Sequence, residues 1–166
     1  TGPGRTLGQA LIESKEVDGV TFTGSFDVGM KIFRDYAEGS YVRPIILELG
    51  GKNPAIVSRK ADLERAAIGI MRSAFGLQGQ KCSAASRVYV EKPVAEAFEK
   101  RLVALLEKTS VGDPTKRENW LGPVINARAQ QNYQRCIEAL GAGGATLRRG
   151  GQLLTSGALR RGYYVE

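Results

Sequence analysis

Short β-type runs alternate with helical stretches along almost the whole chain, and this alternation restricts its fold more than any other feature. The clearest helix follows Asp62, a residue type suited to capping. Its apolar residues Leu63, Ala66, Ala67, Ile70, Met71, Ala74 and Phe75 recur at helical spacing and form one stripe that breaks at Gly76. Leu7, Ala10 and Leu11 predict a helix over residues 6–14. Val28, Ile32, Phe33 and Tyr36 predict another, running to about Glu38. Val94, Phe98, Leu102, Leu105 and Leu106 predict a third over 94–108, and Tyr133, Cys136, Ile137 and Leu140 a fourth after Asn126. Between them lie candidate strands at 20–23, 45–47, 55–57, 87–90, 145–147 and 163–165, with that at 45–47 expected to be buried. The pattern predicts an α/β fold with largely parallel sheets. Gly50-Gly51 is the best boundary, giving units 1–50 and 51–166.

Composition removes whole classes of chemistry. Among 166 residues there is no histidine, so no His triad or His metal site is available, and proton transfer falls to a carboxylate, Lys, Tyr or water. Two cysteines are too few for a disulfide scaffold, and without His they make no zinc site. No apolar run approaches the ~20 residues of a membrane span, and a cytoplasmic location is expected. The net charge of +7 is uneven: residues 1–58 carry 6 basic and 7 acidic groups, and the rest 18 and 10. A basic half raises nucleic acid as a partner. However, the basic residues are scattered and no aromatic residues interleave with them as base-stacking platforms, so a solvated surface is the better reading. The chain begins with Thr1 rather than Met and stops directly after Tyr163-Tyr164-Val165, so it is expected to be a piece of a longer protein.

Three places could carry chemistry. At Thr23-Gly24-Ser25-Phe26-Asp27-Val28-Gly29 a strand turns into a helix. Free N–H groups there could hold a phosphate, or Ser25 could be an ordinary N-cap. Glu48 stands at the carboxyl end of an apolar strand, a common ligand position in open α/β sheets. It could serve as a general base, or simply pair with Lys52 or stand exposed at the strand end. Cys82 follows Gly79-Gln80-Lys81 in a loop, with the small residues Ser83-Ala84-Ala85-Ser86 after it. An adjacent Lys81 and few apolar neighbours favour a nucleophile. Cys136, on a helical apolar stripe, is expected to be an inert core residue.

Taken together, these segments resemble the aldehyde dehydrogenase superfamily. The residues that carry the resemblance are Phe22-Thr23-Gly24-Ser25 with Val28-Gly29, Leu47-Glu48-Leu49-Gly50-Gly51-Lys52-Asn53-Pro54, Gly79-Gln80-Lys81-Cys82, Gly112-Asp113-Pro114 and Leu121-Gly122-Pro123-Val124, in that order. The resemblance implies part of a Rossmann-like cofactor domain (1–50) followed by much of a catalytic domain (51–166). It implies Cys82 as nucleophile and Glu48 as base. It also implies NAD, with NADP left open, as cofactor held by Gly24, Ser25, Phe26, Asp27, Val28, Leu49 and Gly50, an aldehyde substrate and a homo-oligomeric full-length protein. The segment Phe75 to Arg87 is most similar to the 1-pyrroline-5-carboxylate dehydrogenases, where the serine at the position of Ser83 is expected to help hold the substrate carboxylate. Other semialdehyde dehydrogenases, or a non-catalytic α/β module, are the alternatives. A side-chain donor to the oxyanion and further cofactor ligands are expected outside residues 1–166, which leaves this piece inactive alone.

Overall fold

The computed structural model describes residues 1–166, which divide into two compact units, Thr1–Gly51 and Lys52–Glu166. In the first unit, a π-type turn at Gly4–Gly8 runs into helix α1 (Gln9–Glu13). Strand β1 (Val20–Gly24), helix α2 (Phe26–Ala37) and strand β2 (Ile45–Leu49) follow. The two strands are parallel, and Gly24 is the register partner of Leu49. Parallel strands need a crossover, and α2 supplies it. Gly29, Ile32 and Tyr36 form its buried face, while Val28 and Phe33 stay exposed. Gly29 is required where it stands: a Cβ there would lie 2.4 Å from Leu49 Cδ2.

The strand at 45–47 was expected to be buried throughout, but it alternates. Ile45, Leu47 and Leu49 turn inward, whereas Ile46 and Glu48 are exposed. Within this unit β2 pairs with β1 alone, and a helix covering one face leaves the other open.

The second unit opens with β3 (Asn53–Val57), α3 (Leu63–Phe75) and β4 (Ala85–Val90), then α4 (Ala95–Leu106) and α5 (Ala127–Ala142). Strands β3 and β4 are parallel, with Asn53 opposite Ala85. Asp62 caps α3 as its sequence position suggests, accepting from the N–H groups of Glu64 (3.0 Å) and Arg65 (3.1 Å). The α3 stripe closes on the β3–β4 pair and α4. Val57, Ala67, Ile70 and Phe98 are the buried centre, with Val88, Leu102 and Leu105 packed round it. Asn126 caps α5 by accepting from the Ala129 N–H.

Two expectations fail here. Residues 145–147 form no strand, because α5 ends at a glycine pair with Gly144 at φ +81 and Leu147 is left exposed. The local strands are instead β5 (Leu153–Leu154) and β6 (Tyr164–Val165), which are antiparallel. Cys136 is exposed rather than in the core. The covered side of α5 includes Tyr133 and Ile137, four residues apart, whereas Cys136, and Leu140 in the last turn of the helix, are exposed. No helix is long and apolar enough to cross a membrane.

Candidate active site

Parallel pairing of β1 with β2 brings two of the sequence motifs to one edge of the first unit. Thr23 is opposite Glu48 and Gly24 opposite Leu49, so the turn into α2 and the Glu48-Leu49-Gly50 segment leave the sheet side by side. Gly24, Ser25, Phe26, Asp27, Val28, Glu48 and Gly50 are all exposed, and Leu49 is partly covered. Ser25 is the N-cap of α2, its Oγ accepting from the Val28 N–H at 3.4 Å, and the Gly29 N–H donates to the Ser25 carbonyl at 3.0 Å. That leaves the N–H groups of Phe26 and Asp27 without intrahelical partners at the positive end of the helix dipole. They are the groups an anion would meet, with the Asp27 carboxylate beside them acting against it. Of the alternatives open for Glu48, the structure shows the exposed one: its side chain lies on the open face of β2, not in an apolar setting.

In the second unit, α3 ends at Gly76 and the chain enters a left-handed turn. Leu77 (φ 54, ψ 34), Gln78 (φ 57, ψ 30) and Gly79 (φ 68) are consecutive residues in that region. Left-handed backbone costs a residue with a Cβ about 1–2 kcal/mol, so Leu77 and Gln78 are held there by their surroundings. Gly79 has no freedom to be otherwise, since a Cβ would come within 2.9 Å of the Ala74 carbonyl oxygen. A tight turn follows, with the Ala84 N–H donating to the Lys81 carbonyl (3.2 Å) and Cys82 and Ser83 at its tip. Lys81, Cys82 and Ser83 are all exposed, and Cys82 is a free thiol. The turn delivers Cys82 just ahead of the amino end of β4, where Ala85 pairs with Asn53.

Two side chains missed in the sequence fasten this turn. Gln80 Oε1 accepts from the Ile125 N–H at 2.9 Å. In the amide orientation that satisfies both its ends, Gln78 accepts from the Gly122 N–H at 2.8 Å and donates to the Leu77 carbonyl at 3.1 Å. The only signal in the sequence is Gly79 between them, which marks a turn but not its handedness.

A model of the aldehyde dehydrogenase family matches residues 1–166, and the chain belongs to that family. It is 41% identical over 167 residues to the alpha-ketoglutaric semialdehyde dehydrogenase of Bacillus subtilis (strain 168), covering 100% of this chain and 34% of that protein. It is 38% identical over 172 residues to 1-pyrroline-5-carboxylate dehydrogenase 1 of Halalkalibacterium halodurans, covering 99% of this chain and 32% of that protein. The chain therefore spans about a third of the length of these relatives. Among solved structures it matches the Staphylococcus aureus betaine aldehyde dehydrogenase in complex with NAD+ with a TM-score of 0.93 and 33% identity, over 99% of this chain and 32% of that one. It also matches the NAD+ complex of an aldehyde dehydrogenase from Bacillus cereus with a TM-score of 0.92 and 34% identity, over 99% and 32% of the two chains.

Proposed function

We propose that the protein to which these residues belong oxidises an aldehyde bearing a distal carboxylate to the corresponding acid, with NAD as hydride acceptor and Cys82 as nucleophile. The observation that carries the reading is the exposed Cys82 thiol at the tip of a turn flanked by small residues, in a chain with no histidine. Cys82 Sγ, as thiolate, forms a bond to the aldehyde carbon, and the carbonyl oxygen takes the negative charge. The backbone N–H of Cys82 is one donor toward that oxygen. NAD held at the Gly24–Val28 turn would supply the acceptor for the hydride of this carbon, and loss of that hydride leaves a thioester on Cys82. Glu48 accepts a proton from water, the water oxygen attacks the thioester carbon, and the C–S bond breaks to release the acid and the Cys82 thiolate.

The cofactor's phosphates suit the turn at Gly24–Val28, where the Phe26 and Asp27 N–H groups are free of intrahelical bonds. Leu49 and Gly50, at the same sheet edge, complete the proposed cofactor contacts. Ser83 offers an exposed hydroxyl next to the nucleophile, suited to the substrate carboxylate. Unit 1–50 is read as the end of a cofactor domain and 51–166 as part of a catalytic domain. The assembly is read as a homo-oligomer, with neither membrane nor nucleic acid as partner.

The segment Phe75 to Arg87 favours glutamate γ-semialdehyde (1-pyrroline-5-carboxylate) as substrate. The relative at 41% identity favours alpha-ketoglutaric semialdehyde. Comparison of kcat/KM for the two with the full-length protein and NAD decides between them, and a tenfold preference is the expected separation. Absence of NAD reduction with either, or with simple aldehydes, would refute the proposal.

A further inference from the structure

The geometry points to Gln80, seconded by Gln78, as a positioning residue that fixes the Cys82 turn by clamping it to the segment 121–125. Resting on the role of Cys82 as nucleophile, this inference concerns what holds the thiol rather than what the thiol does. Three facts converge on it. Leu77, Gln78 and Gly79 are left-handed in succession, a conformation that persists only when something outside the turn enforces it. Both glutamine side chains reach out of the turn to backbone N–H groups of one other segment, Gln78 to Gly122 and Gln80 to Ile125. And that segment is itself anchored: Gly122 is buried, while the Val124 N–H donates to the Tyr163 carbonyl at 2.9 Å.

Gly122 has little room to shift, because a Cβ there would lie 3.3 Å from Pro114 Cβ. The amide side chains therefore transmit the position of a packed segment to a turn with no packed side chains of its own, since Leu77, Gln80, Lys81, Cys82 and Ser83 are all exposed. Without the Gln80 oxygen the Ile125 N–H loses its partner, and the left-handed turn that ends at Gly79, ahead of the nucleophile, is free to relax. Such a displacement of a reacting atom lowers rate rather than binding.

The test uses the full-length protein with Gln80→Leu, which keeps bulk but not the acceptor, and Gln80→Glu, which keeps an acceptor oxygen. Hydrogen exchange, thiol labelling and steady-state kinetics are compared at matched melting temperature. Gln80→Leu is expected to speed exchange of the Ile125 amide at least tenfold while α3 and α5 are unchanged. It is also expected to raise the labelling rate of Cys82 relative to Cys136 at least threefold, and to lower kcat at least tenfold with the cofactor KM unchanged. Gln80→Glu should restore the Ile125 exchange rate and most of kcat. Unchanged Ile125 exchange, a labelling ratio equal to wild type, or exchange raised throughout the unit would overturn the clamp. If the wild-type protein oxidises no aldehyde, the proposed function fails while exchange and labelling still decide on Gln80.

Discussion

At Glu48 the informative change removes the charge and keeps the shape. In the full-length protein, Glu48→Gln is expected to leave the first hydride transfer nearly intact and to slow release of the acid. The signature is a burst of NADH followed by turnover reduced ~10²–10⁴-fold, the usual cost of losing a general base. Rapid-mixing absorbance reads both phases, and a variant turning over like wild type removes Glu48 from the mechanism. Cys136 carries a separate lesson. Its place on a helical stripe suggested an inert thiol, yet it is exposed. Brief alkylation of the 166-residue chain is therefore expected to label Cys82 and Cys136 alike, as read by peptide mapping. Protection of Cys136 would contradict its position on α5.

Among the elements, those with local causes were legible in advance. The α3 helix declared itself because cap, stripe and stop all lie within one stretch, and the structure uses Asp62 and Gly76 as its ends. The left-handed turn was not legible, because Leu and Gln avoid that conformation and the contact from Gln78 to Gly122 is distant in sequence. Periodicity likewise finds an apolar line on α5 without saying which neighbouring residue faces outward. In the first unit, Gly29→Ala would press a methyl into Leu49, and a loss of about 1–3 kcal/mol is expected in denaturant unfolding. A neutral result would mean that α2 can shift away from β2.

Tyr133 joins two elements of the second unit. Its hydroxyl accepts from the Gly151 N–H (2.7 Å) and donates to the Glu166 carbonyl (2.5 Å). Burial, first, and the Glu166 carboxylate hold the phenol above its ordinary 10.0, with the Gly151 hydrogen bond opposing them. The protonated phenol is thus the form that the fold favours. Its contribution is complete below pH 10.0 and is lost as pH rises through the raised value. Tyr133→Phe is expected to cost about 1 kcal/mol at neutral pH. The gap between the two proteins' stability curves should narrow above pH 10, and a gap that stays constant would show that the phenol does not titrate with folding.

For the molecule as a whole, the outer faces of the paired strands matter most. Ile56 is 80% exposed and its register partner Tyr89 is 55% exposed, so an apolar pair stands open on β3–β4. Each sheet has only two strands, and two-stranded sheets depend on cover for their stability. A hydrophobic dye is expected to bind the isolated 166-residue chain, and Ile56→Thr to weaken that binding. Equal fluorescence from the variant would place the dye elsewhere. The same isolated chain is expected to reduce no NAD with any aldehyde, since it spans about a third of its relatives' length. Aldehyde-dependent NADH formation by the chain at verified mass would reverse that expectation.

The Thr23–Glu48 register has a consequence for how such a sequence tolerates lengthening and shortening. Between α2 and β2 the chain crosses residues 38–44, outside either strand, and added residues there leave every strand partner where it was. Inside residues 45–48 the effect is all or nothing. Deleting one residue moves each side chain that precedes Glu48 to the opposite face, or else turns Glu48 itself inward among Ile45, Leu47 and the buried side of α2. Natural and laboratory length variants should therefore accumulate in the connection and be absent from the strand, as a library of single-residue deletions across 38–49, sorted for folded protein, would reveal.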